Sequence, residues 1–226
     1  MAKLKSLNAK VEMHRQSKTP RRIYDIQSAP SKQSPRKIAD AALKKIAGAL
    51  KIKPDLSQLH FDQVRDSILG SHVLYQQYHA GKQISGAWVR VDIDNEGRVY
   101  NIHNDLVPEP AMAKARKADA LRATPGATTK LSAADAEKRA LEAVARAKGD
   151  AVKVVHNESC YFKQNGVPTL SWKVIVKTNP PLSAPKTRRP AEWKLYIDAE
   201  TGAVLEKRNL LRFAAGKGRG GDFGNI

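Results

Sequence analysis

A single cysteine, Cys160, stands in 226 residues, so no internal disulfide can form and no Cys-rich metal framework exists to consider. Aromatic residues are scarce at 6% against 41% apolar residues. With a mean hydropathy of −0.51, this composition suits folded modules separated by polar connectors better than one dense globule. No apolar run reaches the roughly 18 residues of a membrane-crossing helix. The start, MAKLKSLNAKVEMHRQ, has lysines but no apolar segment behind them, so no secretion signal is read there and the compartment stays open. Acidic residues are also few: 22 Asp and Glu face 40 Lys and Arg, a net charge of +18.

What is present is unevenly placed. Residues 1–53 hold 14 Lys and Arg against three acids, and residues 1–35 are rich in Ser, Gln and Pro, which reads as a basic, disordered arm. Such an arm suits nucleic acid or another anionic polymer. With almost no aromatics interleaved it also reads as a solvated tail without a partner.

After Pro35, Ile38, Ala41, Ala42, Ile46, Ala49 and Leu50 recur at helical spacing, predicting a helix that ends near Pro54. A second, short helix is predicted over Asp62–Leu69, with Gly70 as its stop. Ala87, Val89, Val91 and Ile93 alternate with Trp88, Arg90, Asp92 and Asp94, the period of a half-buried strand. Asp94–Gly97 turns the chain and Arg98–Ile102 returns. Residues 109–130, with Pro125-Gly126, read as a linker carrying a surface helix. Ser132 caps a further helix closed by Gly149, and strands follow at Val152–Val155, Leu170–Lys177 and Trp193–Ile197. WVRVDIDNEG (88–97) and WKLYIDAETG (193–202) each set a Trp nine residues before a turn glycine. They read either as an internal repeat, two α+β modules in tandem, or as two hairpins that share Asp-rich turn chemistry.

No pattern in the chain carries catalysis. There is no His-Glu dipeptide for a zinc helix, and His72 and His79 are seven apart, two turns away on a helix and on opposite faces of a strand. Asp92–Gly97 opens like a calcium loop, but its twelfth position is His103 instead of Glu. His156-Asn157-Glu158 lacks the thiolates that a zinc deaminase needs, and Cys160 four residues on is out of reach for a nucleophile pair. No catalytic residue, metal ligand or cofactor is therefore predicted.

The stretch GSHVLYQQYHAGKQISGAWVRVDIDNEGRVYNIHN (70–104) resembles the fungalysin/thermolysin propeptide motif. The residues that carry the likeness are Gly70, His72, Tyr75, Gln76, Gln77, Gly86 and the Asp94–Gly97 turn. LSAADAEKRALEAV, LSWKVIV and EWKLYIDAETGAVLEKRN in the second half resemble a PepSY domain. In this order the pair is similar to the pro-region of a secreted zinc metalloprotease. The resemblance implies an α+β fold of two tandem modules, each a helix on a curved antiparallel sheet, cystatin-like in the PepSY half. The divisions are a 1–35 arm, a module at 36–108, a linker at 109–130, a module at 131–211 and a Gly/Arg-rich tail at 212–226. The tail resembles the junction that leads to a catalytic domain, and the chain is read as ending there. The implied partner is a zinc metalloprotease catalytic domain, held as inhibitor or folding chaperone and touched through His72, Tyr75, Gln76 and Gln77. Secretion or a periplasmic location belongs to the family.

Overall fold

Alternation of side chains from Gly70 onward sets up the sheet on which everything else is hung. In the computed structural model, which describes residues 9–122, 131–144, 149–185 and 189–211, ten strands and three helices are present among the described residues. The first half contains β1 (Lys10–Met13), β2 (Pro20–Tyr24), α1 (Pro35–Leu50), β3 (Leu59–Ser67), β4 (Gly70–His79), β5 (Lys82–Ile93) and β6 (Val99–Asn104). The second contains α2 (Glu109–Arg122), α3 (Ala133–Ala143), β7 (Ala151–Gln164), β8 (Val167–Asn179), β9 (Ala191–Asp198) and β10 (Val204–Asn209). The fold class is α+β, as the sequence implies.

Helix α1 forms where predicted, with Pro35 in its first turn and Lys51 in the left-handed conformation closing it. Its buried stripe, Ala39, Leu43, Ile46, Ala47 and Leu50, lies on one helical face. It packs against Ile23, Val73, Tyr75, Val89, Val91, Ile93 and Ile102. Full burial of each large aliphatic side chain is worth about 1.5–3 kcal/mol, so this one cluster holds the first half together. Helix α3 has the predicted cap, Ser132 Oγ accepting from Asp135 N at 3.1 Å. Its Ala136, Ala140 and Val144 pack on Val174, Val176, Leu195 and Ile197.

Five expectations are corrected. Asp62–Leu69 is not a helix: Phe61 to Ser67 pair in antiparallel register with Tyr75 to Gly70. The helical spacing of Phe61, Val64, Ile68 and Leu69 buries nothing, since all four are exposed, and pairing with β4 overrides it. The basic arm is folded over its described part. Strands β1 and β2 pair with each other and β2 pairs with β6, because Ile23 has a place in the core at 0% exposure; residues 1–8 lie outside the described residues. The linker helix α2 is no surface feature, as Met112 and Ala115 are buried; residues 123–130 again lie outside the description. Helix α3 ends at Ala143, before Gly149, because Val144 leaves helical geometry and enters the core. Finally, the halves are not separate sheets. One sheet runs β1-β2-β6-β5-β7-β8-β9-β10, with β3 and β4 extending from β5. The join is a short parallel pairing of Ile84 and Ser85 with Tyr161 and Phe162. The 212–226 tail lies outside the described residues.

The two turns of the possible repeat are built alike. Asp94 Oδ1 accepts from the backbone of Glu96 and Arg98, and Asp198 Oδ1 accepts from Glu200 and Thr201. Gly97 and Gly202 both hold positive φ. The matching valines differ, since Val99 is buried and Val204 is 42% exposed. The likeness is therefore one of turn chemistry and does not extend to the packing.

Candidate functional site

Strand β4 divides the four predicted contact residues between its two faces. Val73, Tyr75 and Gln77 point inward and His72, Leu74 and Gln76 outward, the alternation that a pleated strand requires. Tyr75, 3% exposed, donates its hydroxyl to Asp40 Oδ1 on α1 at 2.6 Å. Burial first, and then the Asp40 carboxylate, push its phenol far above the usual range. Gln77, 0% exposed, donates from Nε2 to Val107 O at 2.9 Å and accepts from Val107 N at 2.7 Å. Its amide thus takes the role of a neighbouring strand for the segment that leads into α2. Tyr75 and Gln77 are internal ties. Only His72 and Gln76 of the predicted set reach the outer face.

On that face the register lays out a grid. Arg65, His72, Asp92 and Asn101 align across β3, β4, β5 and β6; beside them run Gln63, Leu74, Arg90, His103 and Arg22; Gln76 pairs with Trp88. Asp92, 2% exposed, is the hub. Its carboxylate accepts from His72 Nδ1 at 2.8 Å and Asn101 Nδ2 at 2.5 Å, and meets Arg90 Nε at 2.8 Å. Burial pushes its carboxyl up, but the hydrogen bonds from His72 and Asn101 and the Arg90 charge outweigh that and hold it below the usual range. His103 is pulled down, by burial first and then by Arg90. Gln63, Arg65, His72, Leu74, Gln76, Trp88 and Arg90 line a groove of about 470 Å³.

His72 Nε2 stands 2.9 Å from Ser67 Oγ, so serine, histidine and carboxylate follow one another as in a nucleophile relay. The sequence concealed this set, because Ser67 and Asp92 reach His72 only through the β3–β4 and β4–β5 pairings. The surroundings fit positioning of the ring better than acyl transfer. The Leu69 N–H beside Ser67 donates to Ser67 Oγ itself, and the Asp92 charge is shared with Arg90 and Asn101.

Elsewhere the chemistry is quiet. Among the described residues, no group of three or more His, Cys, Asp or Glu could hold a metal ion, and no helix is long and apolar enough to cross a membrane. Burial first, and then Glu158, push the Cys160 thiol up to about 12. Native protein is therefore expected to resist a thiol reagent such as DTNB at pH 8 and to react once unfolded; rapid native labelling would overturn that burial. Nothing supports nucleic-acid binding by the basic N-terminus. Two of its described cations have partners within the chain: Lys10 pairs with Asp25 at 2.8 Å, and Arg22 donates to Asn101 and lies over Tyr24.

Comparison with known proteins places this geometry in context. Residues 61–106, spanning nearly all of β3 to β6, match the family described as the Fungalysin/Thermolysin Propeptide Motif. Residues 130–208 match PepSY, the Peptidase propeptide and YPEB domain. The chain thus carries a propeptide-like region. It is 26% identical over 166 residues to Bacillolysin of Bacillus amyloliquefaciens, covering 70% of this chain and 28% of that protein. To Bacillolysin of Bacillus subtilis (strain 168) it is 24% identical over 192 residues, covering 79% of this chain and 32% of that protein. The chain spans about a third or less of these relatives. Among solved structures, the Bacillus megaterium YpeB C-terminal domain aligns at a TM-score of 0.36 and 12% identity, over 89% of this chain and 76% of that one.

Proposed function

We propose that this chain acts as a non-catalytic pro-region that binds a thermolysin/fungalysin-like zinc metalloprotease, inhibiting it or assisting its folding. The observation that carries the reading is the tandem of two propeptide-family matches, residues 61–106 and 130–208, on one hydrogen-bonded sheet. The region before Pro108 and the region at 131–211 are taken as the two modules, with the first reaching back to Lys10 through β1 and β2.

A pro-region of this kind needs no reactive group. It needs a rigid surface complementary to the protease, because a surface ordered beforehand loses little entropy on docking. The join at β5 and β7 supplies rigidity. Around it Ile84, Ala87, Val107, Met112, Tyr161 and Leu170 form a core of their own. His79 and Tyr161 both hydrogen-bond Asp119 on α2, at 2.9 and 2.6 Å.

The test is addition of the purified chain to a bacillolysin-type protease. Near-stoichiometric slowing of peptide cleavage, or a raised refolding yield of the denatured protease, is expected. No effect in either assay sinks the proposal.

A further inference from the structure

We infer that the outer edge of β3 and the groove beside it form the docking surface for an acidic, extended segment of a protein partner; this rests on the protease-binding reading above. Three features of β3 lead there. It pairs only with β4 among the described strands, so its other edge can accept an added strand. Its core-side residues Phe61 and Val64, paired with Tyr75 and Val73, are still 38% and 37% exposed. They are apolar side chains of a core row that runs out at the edge, and a further strand would cover them. Edge strands are commonly guarded by charge or proline against such pairing; on the inward side of this one the Arg36 guanidinium lies 4.7 Å from the Phe61 ring centre, and Val64 is itself neither charged nor proline.

The outer side of β3 selects the chemistry of the occupant. Gln63 and Arg65 form the rim of the groove, with Leu74, Trp88 and Arg90 behind them. Arg65 donates Nε to Gln63 at 3.0 Å, a bond that uses neither terminal nitrogen of the guanidinium, the pair that grips a carboxylate as a fork. Arg90 is fixed by Asp92 through Nε and one terminal nitrogen, and a guanidinium has five donors, so it can take a second carboxylate. Of the acids on this face, Asp92 lies buried beneath its partners and Asp62 accepts from Gln76 Nε2 at 3.2 Å. Away from Asp62 the groove offers Arg65 and Arg90 around an apolar floor of Leu74 and Trp88. An added strand would place alternate side chains beside Arg65, where Asp or Glu fits, and an apolar side chain could reach Trp88. Tryptophan and arginine together are the side chains that most often anchor protein interfaces. Single-stranded nucleic acid fits less well, since it is held by successive aromatic platforms and the groove has one aromatic, Trp88. Among the described residues no helix is found on this face: α1 contacts β4, β5 and β6 from the core side.

The experiment uses the full chain with Arg65→Glu and Trp88→Ala, and with Arg65→Lys and Trp88→Phe as conservative partners. Each is checked for an unchanged circular dichroism spectrum. Affinity is measured for a bacillolysin-type protease and, separately, for a Glu-rich decapeptide, at two salt concentrations. Arg65→Glu and Trp88→Ala are each expected to weaken binding about tenfold or more, with Arg65→Lys and Trp88→Phe restoring most of it. If the wild type binds protease and all variants bind equally well, the docking surface is wrong while the protease reading stands. If the wild type binds no protease, that reading fails, and the peptide decides the surface: loss on Arg65→Glu keeps it, and no peptide binding by the wild type overturns it. Tighter binding of single-stranded DNA than of the peptide through these same residues, or self-association of the chain through β3, also overturns it.

Discussion

Gly70→Ala is expected to lower the thermal midpoint by about 10 °C. Gly70 opens β4 with a φ of +124°, and a Cβ there would stand 2.0 Å from Ile93 O and 2.8 Å from Asp94 Cα. Both contacts are backbone, so no side chain can swing aside. Relief requires the β3–β4 turn to move away from the end of β5, where Ser71 pairs with Ile93. Strain and lost pairing together cost about 3 kcal/mol or more, and a chain of this size loses about 2–4 °C per kcal/mol. Gly81→Ala is the control. Its φ is +74° but nothing lies within 4 Å of the added carbon, so only the conformational cost of about 1 kcal/mol applies. Melts followed by circular dichroism should separate the two by several degrees. Equal losses would show that the close approach to Ile93 is not what demands glycine.

The second large effect is expected from Asp92→Ala. Removing the hub leaves His72, Arg90 and Asn101 facing a buried gap, at a cost of about 3 kcal/mol near neutral pH. Asp92→Asn should recover part of this, because an amide oxygen still accepts one bond but brings no charge to Arg90. The pH dependence has a definite sign. The folded carboxyl titrates below its usual value of 3.8, so its ionised form stabilises the fold above that value. This contribution is lost as pH falls through the folded value. The stability gap between wild type and Asp92→Ala should thus be present at pH 7 and shrink in acid below the usual carboxylate range. Urea titrations at pH 3 and pH 7 would measure it, and a gap that persisted unchanged into strong acid would exclude the carboxylate as the source.

Local signals were legible wherever the physics is local. Helix α1, the Ser132 cap, the Asp94 turn and the alternation of Trp88 to Ile93 each depend on residues within one or two turns of chain, and each forms as its pattern implies. Asp62–Leu69 misled because Phe61, Val64, Ile68 and Leu69 fit a helical stripe, although no surface exists for that stripe to bury. The pairing that claims the segment is with β4, and pairing energy does not show in the period of a single strand. The same limit hid the two strands in the basic arm, where Ile23 is one apolar residue among charges.

The candidate site divides along the same line. His72, Tyr75, Gln76 and Gln77 were visible as a distinctive run, but a strand turns its side chains to alternate faces. Tyr75 and Gln77 therefore became ties to Asp40 and Val107, and only His72 and Gln76 remained outside. Trp88 and Arg90 were visible as strand residues; their place beside Arg65 and Leu74 came only from the β3–β4–β5 register.

By itself the sequence determined the α+β class, the two propeptide-like stretches, the turns and the absence of a catalytic motif, because composition, periodicity and turn chemistry act over short spans. Tertiary structure alone decided that the two halves share one sheet through Ile84 and Tyr161. It also decided that Asp92 gathers His72, Arg90 and Asn101, and that β3 is an edge with a cationic groove beside it. Those outcomes depend on which distant strands meet and in what register, and that is settled by the joint burial of side chains from the whole chain.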